Sequence, residues 1–267
     1  MTDKLVNPGQ DKVLRHVVPN VGIEAEYRRR LKRLVADMQR SIVYWLSSTY
    51  KRAEPKIAQD DLPSNSLQDT MDKLAAQWQA KFDKGAEKLG RWFAKKTKNY
   101  ADGTLQQILK DAGFAVEFKM TDGARDAYDA VIHEQVGLIK SIASEHLQEV
   151  QGLVMRSVQH GRDLGALSKA LQKRYGVTKR RAALIARDQN NKATAVISRT
   201  RQRELGLRQA VWKHSHAGKH PRPSHVKADG EVYDLDKGLY IDGEWIFPGE
   251  KINCRCTSQP VIPGFAP

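Results

Sequence analysis

Apolar and polar positions alternate with helical spacing over most of the chain. Tyr27, Leu31, Leu34, Met38, Ile42 and Trp45 recur every three or four residues, which predicts one amphipathic helix. The pattern fades after Tyr50. "DLPSNS" (Asp61–Ser66) breaks it and offers capping residues for the next helix. Leu67, Met71, Leu74, Trp78, Phe82 and Leu89 form that helix's stripe. Thr104 is then expected to cap a short helix ending at Gly113, and "FAVEF" (Phe114–Phe118) reads as a short strand or an apolar connector. Tyr128, Val131, Ile132, Val136 and Ile139 predict a further helix. Leu147, Val150, Val154 and Val158 predict another, closed by "HGRD" (His160–Asp163). A short helix is expected over Leu164–Tyr175, stopped by Gly176. Thr178 should cap a long one that ends at Gly206, with Ala182, Ile185, Ala186, Ala193, Val196 and Ile197 as a stripe of mostly small residues suited to close packing.

Beyond Gly206 the grammar changes to β. "AVWKHSH" opens with strand formers, "YIDGEWIF" sets Asp-Gly between apolar and aromatic residues as a two-residue hairpin does, and "CTSQPVI" reads as a last strand. The expected fold class is therefore α+β: a mostly helical body followed by a small β-rich C-terminal tail. Four regions follow from this reading. Residues 1–21 are extended or disordered. Residues 22–120 form a helical region suited to partner docking, residues 121–206 a basic helical part, and residues 207–267 the β-rich tail.

Charge changes the picture locally. The net charge of +14 is concentrated in Gln151–Ala210, where 14 Lys/Arg face three Asp/Glu, while the rest of the chain is nearly balanced. Such a surplus suits a polyanion, DNA above all, although solvated basic helix faces are also common. The expected electrostatic face is Lys179, Arg180 and Arg181 with Arg199, Arg201 and Arg203. The opening residues "MTDKLVNPGQDK" hold no apolar core of a signal peptide, and no run approaches a membrane span; a cytosolic, reducing setting follows as the expectation.

The two cysteines, Cys254 and Cys256, fall in "PGEKINCRC" near four histidines of the tail: His214, His216, His220 and His225. Cys-x-Cys on a strand turns both thiols to one face. With two imidazoles they would make a tetrahedral zinc staple, and the expected ligands are Cys254, Cys256, His225 and His216. The other reading is a pair of buried, reduced cysteines acting as small hydrophobes. A disulfide between them would be strained. A catalytic Cys-His-Asn arrangement (Cys254, His225, Asn253) fits poorly. A hydrolase nucleophile usually sits at a helix N-terminus, whereas Cys254 leads into a strand. Trp45, Trp78 and Trp92 serve either as core or as docking surface.

Five motifs in order carry a resemblance. They are "LIARDQ" (Leu184–Gln189), "ELG" (Glu204–Gly206), Trp212, "RPSHVKADGEVY" (Arg222–Tyr233) and "PGEKINCRC" (Pro248–Cys256). Together they resemble the minor head protein family of tailed phages, the Mu F-type head morphogenesis domain, from about Val136 to Ile262. The matching positions are Ile185, Ala186, Arg187, Trp212, Arg222, His225, Asp229, Gly230, Pro248, Gly249, Asn253, Cys254 and Cys256. The chain departs from the pattern at Gln189, where an acidic residue is usual, and in "HSHAGKHP", where an Asp is usual. The resemblance implies a virion component rather than an enzyme. It would be a low-copy minor capsid protein in the capsid interior near the portal, present in the host cytoplasm during assembly. Its implied partners are the portal protein, the inner capsid or scaffold, and double-stranded DNA bound without sequence preference, with no membrane. The competing class is a metal-dependent nuclease using the His/Cys tail.

Overall fold

The computed structural model describes residues 11–52, 63–160, 163–218 and 220–264. Pro8 and Gly9, the Asp61–Leu62 start of the predicted break, and Gly161–Arg162 of "HGRD" lie outside the described residues. Four long helices make up the body: α1 (Val21–Arg52), α2 (Pro63–Asp111), α3 (Asp122–Gln159) and α4 (Leu164–Glu204). The α+β class read from the sequence is the class observed.

Local chemistry sets the helix ends. The Asn20 side-chain oxygen accepts hydrogen bonds from the backbone N–H groups of Gly22 (2.8 Å) and Ile23 (3.1 Å), capping α1. α2 ends where Gly113 takes a left-handed φ of 97° and the Phe114 N–H returns to Leu109 O (2.9 Å). Gly206 (φ 76°) ends α4 in the same way, with the Leu207 N–H on Gln202 O.

Three predicted boundaries do not exist. Thr104 lies inside α2, and α3 runs unbroken where two helices were expected, its Ser141 hydroxyl donating back to Leu138 O. α4 passes through Gly176 and Thr178. A glycine in a helix interior costs about 1 kcal/mol relative to alanine, too little to end a well-packed helix. The Thr178 hydroxyl donates to Arg174 O one turn back (3.2 Å) instead of capping. Phe114–Phe118 forms no strand; it is the apolar connector, with Phe114, Val116 and Phe118 packed against a core cluster that includes Leu105, Ile108 and Leu109 of α2.

The chain divides into two compact units. The first draws on residues up to Glu24, Trp92–Ile132 and the chain from Arg187 onward. The second draws on Ala25–Arg91 and His133–Ala186. In the second, Tyr27, Leu31, Val35, Met38, Ile42 and Leu46 of α1 are buried. The stripe thus passes through Val35 and Leu46, and Trp45 is exposed, edge-on to Tyr44. Leu67, Met71, Leu74, Trp78, Phe82 and Leu89 are all buried. Two polar pairs sit inside this core: the Tyr27 hydroxyl on Gln135 (2.9 Å), and His146 Nδ1 with the Thr178 hydroxyl (2.8 Å).

The first unit holds the β structure. Strands β1 (Lys12–Val13), β2 (Gln209–Lys213), β3 (Val232–Asp234) and β6 (Thr257–Ile262) form an antiparallel sheet in the order β1-β6-β2-β3. β4 (Leu239–Ile241) and β5 (Glu244–Ile246) make a separate hairpin, whose Asp242 (φ 55°) and Gly243 (φ 88°) adopt the paired left-handed conformations that Asp-Gly favours. A short helix α5 (Pro223–Lys227), unforeseen in the sequence, falls within "RPSHVKADG". Trp212, Tyr233, Leu235, Ile246, Cys254 and Cys256 pack as one core cluster. Among the described residues, no helix is long and apolar enough to cross a membrane.

Candidate functional site

The segment Pro248–Cys256 lies against α4, and residue choice explains how closely. A Cβ added at Gly249 (φ 83°) would fall 2.7 Å from the Cβ of Ala195, so only glycine opposite a small helical residue allows this approach. Gly249→Ala is accordingly expected to destabilise the first unit by about 1–3 kcal/mol through strain and displacement. A urea-unfolding midpoint equal to the parent's would contradict this.

Three polar residues of α4 then fix the loop. Asp188 Oδ1 accepts the Asn253 N–H, the Arg187 guanidinium donates to Asn253 Oδ1 (2.9 Å), and the Asn191 amide donates to Cys254 O (3.3 Å). Asn253 has a φ of 61°, a left-handed conformation that asparagine tolerates better than most side chains. The "IARDQNN" and "INCRC" motifs are therefore two halves of one contact. Asp188 and Asn191 had no role assigned from the sequence. Both fall in the unbroken polar run Arg187–Lys192, where residue type alone does not set them apart from their neighbours.

Cys254 and Cys256 present both sulfurs to one histidine, but not as neighbours on a strand: both precede β6, which begins at Thr257, and lie in irregular backbone after the turn. His225 Nδ1 lies 3.4 Å from Cys254 Sγ and 3.7 Å from Cys256 Sγ, and the three donor atoms all lie within 4.8 Å of one another. All three residues are buried, and both cysteines are free thiols. His225 stands on α5, with its ring edge-on to the fully buried Trp212 (5.3 Å). Cys254 is drawn toward thiolate, first by a hydrogen bond from Cys256 and then, against its burial, by His225. The same bond, with burial, pushes the Cys256 thiol up.

His216 does not join this group, contrary to the ligand set expected. Its Nε2 pairs with Asp229 (2.9 Å), which also takes the His214 N–H (2.9 Å) and faces Lys213 (3.3 Å). Burial works against the Asp229 carboxylate, yet the His214 N–H, His216 and Lys213 outweigh it and hold the group down at about 2. Asp229 thus organises the His214–His216 segment. Gly230 (φ 88°) turns the chain beside it, its N–H on Trp212 O.

The cluster lines a cleft of about 770 Å³ that also takes in Arg187, Arg222, Arg255, His214 and His220. Arg222 donates to Ile252 O (2.9 Å) and Arg255 to Ala217 O (2.6 Å). These are carbonyl partners, and Arg187 bonds an amide, so the guanidinium charges there are not neutralised by those bonds.

The expected DNA-facing residues are differently placed from one another. Lys179 lies over the Tyr175 ring (5.2 Å), Arg180 is exposed, and Arg181 bonds Glu145 (2.8 Å) and Ser141. Arg199 stacks on Phe247 (3.6 Å), and burial lowers its pKa. Arg203 is paired with Asp236 (2.6 Å). Arg201 corrects the sequence reading outright. It is 2% exposed and held by Asp102, Glu204 and the Lys119 carbonyl, so it presents no charge to a partner.

The site defines a small antiparallel β module fastened onto a long basic helix through a Cys-x-Cys turn. Residues 148–259 match the profile of the family described as phage Mu protein F like protein, which spans the contact just described. The chain is also 34% identical over 137 residues to an uncharacterized protein of Haemophilus influenzae strain Rd. That stretch covers 50% of this chain and 29% of that protein, so the chain spans under a third of the curated relative's length. No solved structure matches.

Proposed function

We propose that this chain is a head-morphogenesis component of a tailed phage, a minor capsid protein held in the capsid interior beside the portal and touching packaged DNA. One observation carries the reading. The segment matched by the Mu F-like family contains both halves of the α4–loop contact, so the motif residues serve a common architecture rather than scattered surface positions. The DNA contact draws on the basic surplus of α4, with Lys179 and Arg180 as its accessible members.

The test is location. Capsids purified with and without portal should contain the protein at low copy only when the portal is present. Equal amounts in both, or none in either, would overturn the portal-side placement.

The DNA role has its own measurement. Replacing Lys179, Arg180 and Arg181 by Gln should flatten the dependence of log affinity on log salt by roughly two to three, at about 0.9 for each phosphate no longer neutralised. An unchanged slope would remove these residues from the interface. The nuclease reading is favoured by one feature, the His225 cluster lining an arginine-bearing cleft. Plasmid cleavage with Mg²⁺ or Zn²⁺ that disappears in His225→Ala would replace the structural proposal with it.

A further inference from the structure

We infer that His225, Cys254 and Cys256 form a binding site for a soft divalent cation of the zinc type, with the fourth coordination position facing the cleft. Such a site stands whether or not the chain acts in head assembly. Donor chemistry, spacing and support all point to it.

The donors are one imidazole and two thiols, a set that suits zinc and poorly suits magnesium or calcium. The two sulfur–nitrogen spacings also suit a filled site. Zinc–sulfur bonds of about 2.3 Å and zinc–nitrogen bonds of about 2.0–2.1 Å at tetrahedral angles put sulfur and nitrogen about 3.6 Å apart. The observed separations of 3.4 and 3.7 Å bracket that value. Hydrogen bonding explains the arrangement less completely. His225 Nδ1 carries at most one proton, yet two sulfurs approach it. A cation between them would satisfy all three atoms, and binding would send whatever thiol protons remain to solvent.

The support is rigid. Pro223 opens the helix that carries His225, and Trp212 packs on the imidazole. Gly249 and Asn191 hold the cysteine turn against α4. His216 is committed to Asp229 and is excluded as a ligand. All three donors line the cleft, so water or an anion entering from that side can complete the shell. A bound ion would tie α5 to the start of β6 across a core cluster that is itself small.

The test uses the full chain, purified under reducing conditions without chelator. Elemental analysis should find about one zinc per chain. After metal removal, Co²⁺ should produce a near-ultraviolet thiolate-to-cobalt charge-transfer band and the visible bands of tetrahedral cobalt, saturating at one equivalent and displaced by Zn²⁺. Cys254→Ser and Cys256→Ser should each weaken binding by roughly 100-fold or more, and His216→Ala should leave it unchanged. The wild-type cobalt titration decides the matter even if the cysteine variants fold poorly. No charge-transfer band in the wild type would overturn the proposal. So would full binding by the double cysteine variant, or equal loss in His216→Ala and His225→Gln.

Discussion

Arg201→Ala should lower the unfolding free energy by about 3–5 kcal/mol, the usual penalty for breaking a buried ion pair from one side. The guanidinium makes a two-pronged bond to Asp102, Nε to Oδ1 at 2.9 Å and Nη2 to Oδ2 at 3.0 Å. Its Nη1 reaches Glu204 (2.6 Å) and Lys119 O (2.8 Å), and Phe118 lies over it at 5.0 Å. The hydrogen bond to Asp102 also raises the Arg201 pKa, so the charge is permanent. Truncation leaves Asp102 buried, with Lys98 (2.8 Å) as its remaining ion-pair partner among the described residues. Replacing both members, Arg201→Met with Asp102→Leu, should recover much of the loss, because the two charges then left without these partners, Lys98 and Glu204, are each about one-fifth exposed and keep access to water. The measurement is the urea midpoint at constant slope for the three proteins. A single-variant loss under about 1 kcal/mol would show that Arg201 is not a buried hub and would restore it to the surface set.

The second large effect depends on pH. His146 is fully buried, its Nδ1 on Thr178, and burial followed by the Arg174 charge pushes its pKa down to about 4. In the unfolded chain the imidazole takes its proton near its ordinary value of 6.5. Between these values the unfolded state binds more protons, so the native state loses stability as pH falls from 6.5 toward 4. At about 1.4 kcal/mol per unit the loss approaches about 3 kcal/mol. His146→Gln retains a hydrogen-bonding side chain and removes the titration. The difference in stability between wild type and variant should therefore shift by about that amount between pH 7 and pH 4 in the variant's favour. A difference that stays constant with pH would mean that His146 charges in place.

How much of this was legible beforehand depends on the physics at each residue. The stripe of α2, the left-handed caps at Gly113 and Gly206, and the Asp242–Gly243 hairpin follow from local rules, and the sequence alone places them. Gly176 and Thr178 misled because local breakers were weighed without the packing that overrides them. Trp45 misled because a helical stripe can shift by one residue, and Leu46 took its place inside. Arg201 and His216 show a deeper limit. A charged or ligating side chain is read by type, but its role depends on partners far along the chain: Asp102 for Arg201, Asp229 for His216. The pairing of Cys254 and Cys256 with His225 was partly readable, since one intervening residue keeps the two thiols close, although they stand just ahead of β6 and not on it. Which histidine meets them depends on α5, whose five residues give too short a pattern to recognise.

The sheet has a consequence for how the chain is made. β1 pairs with β6, and the Gln259 amide reaches Leu14 O across 245 positions of sequence. Synthesis proceeds at roughly 5–20 residues per second, so β1 leaves the ribosome about 12–50 s before its partner strand exists. Until then Leu14 and Val17, buried in the finished fold, have no β6 to pack beside. Of the four strands in the sheet, the one translated last is thus the one that closes it. Ribosomes stalled before Thr257 should display an N-terminal segment open to protease, and release past Ile262 should close it.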